Sequence, residues 1–179
     1  SVWGPTYQVS RAPYNRASGV TSQTYPSGRT VTYGFDTAGR TSSFSGTLGD
    51  GVTRTYSTGI IYSSLGGMAK EQFGTDTALY NKSFYNSRGQ LSEIRVGTTY
   101  TGPTDSSWNR GAIINHYSNN CWGMCSGAAM TDNNGNLKKQ EHWIPKHDQP
   151  QPTLFEIATQ EYDYDNLNRL QRIHEGTML

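Results

Sequence analysis

The sequence has few aliphatic residues and almost no net charge. Leu, Ile, Val and Phe account for 28 of its 179 residues, a fraction typical of disordered chains when the net charge is also high. Here the formal net charge is only +1 at pH 7. Because disorder needs high charge together with low hydrophobicity, the composition indicates a folded chain with a small apolar core.

Several classes of protein are disfavoured by what is missing. A near-neutral charge offers no electrostatic attraction for nucleic acid or an anionic membrane. No apolar run approaches the roughly 18 residues of a membrane span. The opening residues, SVWGPTYQVS, contain neither the basic nor the apolar region of a signal peptide. We therefore predict no nucleic-acid partner and no membrane span.

The residues that are abundant favour β-structure. The chain contains 12 Tyr, 4 Trp and 20 Gly, with many Thr and Ser. Aromatic and β-branched side chains pack well on a pleated surface, and glycine supplies tight turns. The composition predicts an all-β fold of short, half-buried strands.

One seven-residue pattern recurs along the chain. Its clearest copy is YDNLNRL, which begins at Tyr164. The other copies are TYPSGRT from Thr24, FDTAGRT from Phe35, YSSLGGM from Tyr62, YNSRGQL from Tyr85 and TDNNGNL from Thr131. The longest gap, 46 residues, is twice the gap of 23 before it, which suggests a degenerate copy near SWNRGAI at Ser107.

The residue types at fixed positions of the pattern predict a hairpin corner. Asp, Asn or Ser at position 2 and Gly at position 5 suit a type I turn followed by a left-handed residue, which is a common hairpin connection. Asn168 replaces glycine in the last copy, and Asn accepts that conformation next most readily. The predicted turn residues are Gly28, Asp36, Gly39, Gly66, Asn86, Gly89, Asp132, Gly135, Asp165 and Asn168, together with Ser63 and Pro26.

Positions 1 and 7 flank each turn. We expect the aromatic residues at position 1, Phe35, Tyr62, Tyr85 and Tyr164, to form a ladder along the array. The apolar residues at position 7 are Met68, Leu91, Leu137 and Leu170. Clean period-two alternation in RTVTYGFD indicates strands between corners. LGGMAKEQF, at 65–73, is a weaker candidate for a short helix, and Asp50-Gly51 predicts a two-residue hairpin turn.

These stretches resemble the YD repeat of the RHS family of large secreted or surface polypeptides. The resemblance is clearest in EYDYDNLNRLQRIHEG and VTYGFDTAGRT, and extends over residues 24–176. It implies a strip of antiparallel hairpins that forms part of a spiral shell, which in many members encloses a C-terminal toxin domain. It also implies a secreted or cell-surface location. The family's self-cleavage motif is not found before Leu179, so an internal shell segment or a short member is expected.

The predicted organisation has three segments, the second of which contains an insert. An irregular or strand-forming segment covers 1–23, the hairpin array covers 24–176 with an irregular insert at about 101–130, and 177–179 form the end. A strip of hairpins has unpaired backbone at both edges, and such edges invite pairing with another chain. The expected partners are therefore other copies of the chain or the rest of a longer RHS polypeptide.

The insert contains residues that could support other chemistry. Cys121 and Cys125 in CWGMC have a spacing suited to a disulfide, to free thiols or to a zinc site. The zinc alternative would draw on His116, Glu141, His142, His147 and Asp148. Cysteine catalysis with His116 or His142 as base lacks an orienting third group. We predict a surface insert with no metal or cofactor, in which the two cysteines are either free thiols or, if the protein is exported to an oxidising compartment, a disulfide.

Catalysis and glycan binding are the remaining alternatives. Asp163 and Asp165 share a strand face in the manner of paired carboxylates, but Asp165 is assigned to a corner. No nucleophile elbow, phosphate loop or dinucleotide fingerprint occurs, so we predict no enzymatic activity. Trp3, Trp108, Trp122 and Trp143 could stack on sugar rings. The favoured prediction is a noncatalytic scaffold, and the alternative is a carbohydrate- or receptor-binding adhesin module.

Overall fold

The chain folds into a single antiparallel sheet. The computed structural model describes residues 9–16, 18–74, 78–119, 131–146 and 155–178. Within these ranges there are twelve strands and no helix. The strands lie in the sheet in their order along the chain, and each is antiparallel to its neighbours. The predicted all-β array of antiparallel hairpins is confirmed.

The strands vary from five to ten residues in length. They are β1 (Ser10–Tyr14), β2 (Val20–Thr24), β3 (Thr30–Phe35), β4 (Thr41–Thr47), β5 (Arg54–Tyr62), β6 (Met68–Phe73), β7 (Leu79–Tyr85), β8 (Leu91–Gly97), β9 (Gly111–His116), β10 (Lys139–Pro145), β11 (Phe155–Tyr164) and β12 (Leu170–Met178).

Two local expectations are decided by these bounds. MAKEQF forms β6 rather than a helix, because Gly66 and Gly67 belong to the preceding corner and the strand begins at Met68. The prediction of a two-residue turn at Asp50-Gly51 is wrong. The connection between β4 and β5 spans 48–53, and Gly49 and Gly51 both have positive φ there. The additional left-handed glycine permits a wider loop.

Strands occur both in the 1–23 segment, which was expected to be irregular or strand-forming, and in the insert at about 101–130, which was expected to be irregular. β1 and β2 place residues 10–24 in the same sheet as the rest of the array. β9 occupies part of the 101–130 range, where the apolar run Ala112-Ile113-Ile114 pairs with both β8 and β10. Such a run suits a strand with a neighbour on each side.

The hairpin connections alternate between the two ends of the strands. Connections that follow odd-numbered strands lie at one end of the sheet, which we call the corner edge. They include 15–19, 36–40, 63–67, 86–90 and 165–169. The corner at 25–29 lies at the opposite end, as do the loops at 48–53 and 98–110. Repeated corners therefore meet side by side at every second strand.

The sheet contains little apolar core. Among the described residues, Val31 and Ala112 are the buried apolar side chains. Buried polar side chains are more numerous, and include Lys82, Glu93 and His116. This distribution fits the small apolar fraction of the sequence, and it shifts stabilisation toward hydrogen bonds and ion pairs between neighbouring strands.

Candidate functional site: the corner row and the charged face

Each regular corner is held together by its position 2 side chain. In the corner at 36–40, the Gly39 N–H donates to the Asp36 carbonyl at 3.0 Å. The Asp36 carboxylate accepts hydrogen bonds from the N–H groups of Ala38 and Arg40, at 2.9 and 2.8 Å. The Arg40 guanidinium completes the arrangement with an ion pair to Asp36 at 2.8 Å. An Asp at position 2 followed by an Arg at position 6 thus closes the corner on itself.

The last corner has the same geometry. Asp165 accepts hydrogen bonds from the N–H groups of Leu167 and Arg169 and forms an ion pair with the Arg169 side chain. Asn168 has φ of 60°, so asparagine adopts the left-handed conformation that glycine has elsewhere. The N–H of position 5 donates to the carbonyl of position 2 in the corners that contain Gly28, Gly39, Gly66, Gly89 and Asn168.

These bonds change the acidity of the corner carboxylates. The N–H of Arg40, followed by its guanidinium, lowers the pKa of Asp36 below the ordinary value. The N–H and side chain of Arg169 lower the pKa of Asp165 in the same way. Both carboxylates are therefore charged at neutral pH, as the hydrogen bonds require.

The copy that begins at Thr131 departs from this geometry. The N–H of Gly135 donates to the side chain of Asn133 at 2.9 Å rather than to the Asp132 carbonyl. The Asp132 carboxylate instead accepts hydrogen bonds from Ser118 and Asn119 and pairs with Lys138. These bonds lower the pKa of Asp132, the Ser118 hydroxyl contributing most. Asp132 therefore fastens the end of β9 to the start of β10.

A further regular corner, not found from the sequence, lies at 15–19. The N–H of Ser18 donates to the Asn15 carbonyl, and Asn15 Oδ1 accepts from the Gly19 N–H at 2.7 Å. Ser18 has φ of 62° at position 5. A search for Gly or Asn at that position misses it, although Tyr14 and Asn15 at positions 1 and 2 carry the pattern.

The aromatic side chains at position 1 connect successive corners along the corner edge. The hydroxyls of Tyr62, Tyr85 and Tyr164 donate to the backbone carbonyls of Thr41, Met68 and Leu137, at 2.8, 2.9 and 2.8 Å. Each acceptor is the position 7 residue of the preceding corner. Tyr117, which follows β9, donates to the equivalent carbonyl of Leu91 at 3.2 Å. We call these contacts the tyrosine ladder.

The aromatic rings also cover position 6 of the preceding corner. The Arg40 guanidinium lies 4.4 Å from the centre of the Tyr62 ring. The Tyr85 ring lies against Gly67, where it occupies the space that a Cβ atom would need. Phe35, which has no hydroxyl, contacts Gly19 in the same way, 2.9 Å from the position of an added Cβ.

Polar side chains at the corner tips add further contacts. The Arg88 guanidinium donates to the Asn133 carbonyl, and the Asn133 amide donates to Gln90 at 2.7 Å. On the other side, Asn134 and Asn136 both donate to Asn168 Oδ1. We call the connected corners the corner row.

One face of the sheet carries a group of charged side chains, which we call the charged face. Residues paired across antiparallel strands share a face, and the register places Lys70, Lys82, Arg95, His116 and Glu141 together. The loop at 98–110 folds over part of it. Lys82, only 2% exposed, pairs with Asp105 of that loop at 3.3 Å. The Arg95 guanidinium donates to the Ser106 carbonyl.

The ammonium group of Lys70 has different partners from that of Lys82. Its Nζ donates to the Gly59 carbonyl at 2.9 Å and lies 4.9 Å from the centre of the Tyr100 ring. Burial lowers the pKa of Lys70. The same loop thus supplies an aromatic ring to one buried lysine and a carboxylate to the other.

Two of the four tryptophans considered for glycan stacking, Trp108 and Trp143, lie in the described part of the chain. Trp108, from the 98–110 loop, packs against Trp143 and Phe155, with ring centres 5.4 and 4.4 Å apart. Glu141 accepts a hydrogen bond from the Trp143 indole. Trp3 and Trp122 lie outside the described residues. Trp108 and Trp143 therefore join the loop to the sheet.

Of the candidate zinc residues, His116, Glu141 and His142 lie in the described part of the chain, and among these three His116 and Glu141 are close together. His116 and His142 lie on opposite faces, since His116 pairs with Lys139 and His142 with Ile113. His116 is buried beside Glu141 at 3.3 Å, and burial lowers its pKa. Within the described ranges no group of three His, Cys, Asp or Glu side chains could hold a metal ion.

The remaining candidate residues either lie outside the described part of the chain or have separate partners. Cys121, Cys125, His147 and Asp148 lie outside the described residues, so the possible disulfide does too. Asp163 pairs with His174 at 2.9 Å, whereas Asp165 bonds within its corner. The described ranges also contain no helix of the length and hydrophobicity that a bilayer crossing requires.

Comparison with known proteins identifies the same architecture. No family model and no curated protein matches the chain. Among solved structures, "TcdB2-TccC3 without hypervariable C-terminal region" aligns with a TM-score of 0.61 at 14% identity, over 98% of this chain and 9% of that chain. "TcdB2-TccC3" aligns with the same TM-score and identity, over 98% of this chain and 10% of that chain.

A third solved structure is the Tc holotoxin pore of Photorhabdus luminescens, which aligns with a TM-score of 0.52 at 15% identity. The alignment covers 96% of this chain and 9% of that chain. The chain therefore spans about a tenth of the length of the structures it matches. The expected fold, a strip of antiparallel β-hairpins, is confirmed.

Proposed function

We propose that the chain is a noncatalytic scaffold, a segment of wall in an RHS-like shell at or outside the cell surface that encloses or displays a cargo. The observation that carries the proposal is the corner row. It couples hairpins at every second strand through the same tyrosine-to-carbonyl contact, and such a contact extends an array without defining its end. A sheet built this way suits a wall better than a pocket.

Two further features support a wall. The outer strands β1 and β12 each have one side without a neighbouring strand among the described residues. Open edges of this kind are normally covered by another strand. The solved structures with this fold are chains about ten times longer, which fits a role as one stretch of a larger enclosure.

A glycan-binding adhesin is the second candidate, and the tryptophans give it a direct test. In a scaffold, Trp108 and Trp143 stabilise the loop against the sheet. Trp108→Ala and Trp143→Ala should therefore lower the melting temperature, and neither the parent chain nor the variants should bind sugars. Glycan-array binding and thermal unfolding would be measured on the same preparations.

The adhesin predicts a different combination of results. Specific retention of the parent chain on a defined glycan, lost in either tryptophan variant without a change in melting temperature, would overturn the scaffold. Ile144→Ala provides a matched control, because Ile144 is an apolar residue of the same strand as Trp143 and is 50% exposed.

A further inference from the structure

The tyrosine ladder is incomplete at both ends of the sheet, in complementary ways. At the last corner, Leu170 holds position 7, the place from which Thr41, Met68, Leu91 and Leu137 each accept a tyrosine hydroxyl. Since β12 is an outer strand, no described corner follows to supply that hydroxyl. At the first corner, Tyr14 holds position 1 on the other outer strand.

Side-chain exposure is consistent with both ends being uncovered. The side chain of Arg40, which lies against the Tyr62 ring, is 44% exposed, whereas that of Arg169 is 74% exposed. Tyr14 is 59% exposed, while Tyr62, Tyr85 and Tyr164 are half-buried. Leu170 and Ile173 of β12 are 51% and 48% exposed.

The backbone of β12 is arranged to accept another strand. Tyr162 donates its N–H to the Lys138 carbonyl, away from β12. Ile173 is paired with Tyr162, so the antiparallel alternation directs the N–H and carbonyl of Ile173 to the free side. Asp165 donates its N–H to the Arg169 carbonyl, so the next residue, Leu170, also directs its backbone N–H and carbonyl to the free side.

The backbone of β1 offers the matching surface. Asn15 donates its N–H to the Gly19 carbonyl, so the next pair, Tyr14 and Val20, directs its polar groups away from each other. Pro13 lies between Ala12 and Tyr14, and its backbone is directed toward β2. The N–H that proline lacks is therefore not on the free side, where Ala12 and Tyr14 keep theirs.

The strand count determines how two copies can join. Because the sheet has an even number of strands, twelve, β1 of a second copy placed beside β12 is antiparallel to it. The 15–19 corner of that copy then falls on the same corner edge. Tyr14 and Leu170 occupy the positions that donate and accept in every complete rung of the ladder.

The geometry points to head-to-tail association of copies of this chain, in which β1 of one copy pairs with β12 of the next. The Tyr14 hydroxyl donates to the Leu170 carbonyl, and the Tyr14 ring covers Arg169. The inference rests on the proposed scaffold role and adds the partner and the register. A head-to-tail contact of this kind uses two different surfaces and extends a row of copies.

A proline at the free edge tests the contact without removing an internal sheet bond. Ile173→Pro deletes only an amide that points outward, and proline is tolerated at such edge positions.

The parent chain should show association that increases with concentration in sedimentation velocity and native mass spectrometry. Ile173→Pro should weaken association by at least about tenfold, equal to ~1.4 kcal/mol. Ile173→Thr, which keeps the amide, should associate like the parent, and circular dichroism checks that all three chains fold.

Photo-cross-linking identifies the register. Benzoyl-phenylalanine in place of Tyr14 should cross-link between chains to a peptide containing residues 165–172. A parent chain that stays monomeric at every concentration overturns the inference, as do cross-links to β1 of the partner copy. Association through other surfaces overturns the head-to-tail register but leaves the scaffold role, which the glycan experiment tests separately.

Discussion

The hydroxyl of Tyr85 donates a 2.9 Å hydrogen bond to the backbone carbonyl of Met68, seventeen residues earlier in the chain and on the adjacent strand of the sheet. The contact joins two hairpins that share no turn. It recurs at Tyr62, Tyr117 and Tyr164. Coupling between hairpins is thus a repeated property of position 1, in addition to the strand-to-strand bonds of the sheet.

Removal of the Tyr85 hydroxyl should destabilise the fold. Tyr85→Phe leaves the ring in place but deprives the Met68 carbonyl of its donor, so we expect the free energy of unfolding in urea to fall by about 0.5–1.5 kcal/mol. Tyr33→Phe is the matched control, since no hydrogen bond of that hydroxyl is present among the described residues. Equal effects of the two substitutions would contradict a specific role for the ladder.

The contact between Gly67 and the Tyr85 ring predicts strong coupling between the two positions. Gly67→Ala places a methyl group where the ring lies, and overpacking of this kind costs about 1–3 kcal/mol. In a Tyr85→Ala background the space is free, so the same substitution should cost much less. A double-mutant cycle in urea measures the difference, with an expected coupling of about 0.5–3 kcal/mol. Additive effects would show that the ring does not cover Gly67.

The corner carboxylates predict a pH dependence of stability. Because the pKa of Asp165 is lowered by the N–H and guanidinium of Arg169, the charged form stabilises the folded state. The stabilisation is present above the unfolded pKa of about 3.9 and is lost as the pH falls through the lower folded pKa. Asp165→Asn should therefore flatten the decline in stability below about pH 4. Thr37→Ala, at an exposed position of another corner, removes no carboxylate and should leave the decline unchanged.

The loop over the charged face depends on Asp105. This carboxylate pairs with Lys82 and accepts hydrogen bonds from the N–H groups of Thr101 and Ser107. Asp105→Asn should loosen the loop, because it leaves the buried Lys82 without its counter-charge. Faster proteolytic cleavage within 98–110 is the expected result. Thr104→Ala, at an exposed loop position, should be cut at the parent rate, and the same rate in both variants would contradict the anchoring role.

The hairpin array was predictable because local turn chemistry and strand alternation point to the same fold. Asp36 with Gly39, and Asp165 with Asn168, have the spelling of the corner they form. Ser18 did not reveal its corner, since serine rarely adopts positive φ. The copy that begins at Thr131 has the residue types of a corner, but the Asp132 carboxylate bonds to Ser118, Asn119 and Lys138 instead. Its geometry is decided by neighbours distant in sequence.

The tyrosine ladder was anticipated only in outline. Sequence pattern aligned the aromatic residues along the array, but the acceptor carbonyls follow from strand register, which a loose repeat spacing does not specify. Tyr117 joins the ladder without a recognisable corner after it. The pairing of Lys82 with Asp105 likewise depends on how the 98–110 loop folds back, for which the chain has no local signal.

Ionisation of individual tyrosines tests the ladder most directly, because a phenolate cannot donate a hydrogen bond. Burial raises the pKa of Tyr85, Tyr117 and Tyr164 above the ordinary value of about 10. Carbon-13 NMR of tyrosine-labelled protein, assigned with single Tyr→Phe variants, should show these three residues predominantly neutral at about pH 10, where free tyrosine is half ionised. Titration of these three tyrosines at the pH of free tyrosine in the folded protein would contradict the account.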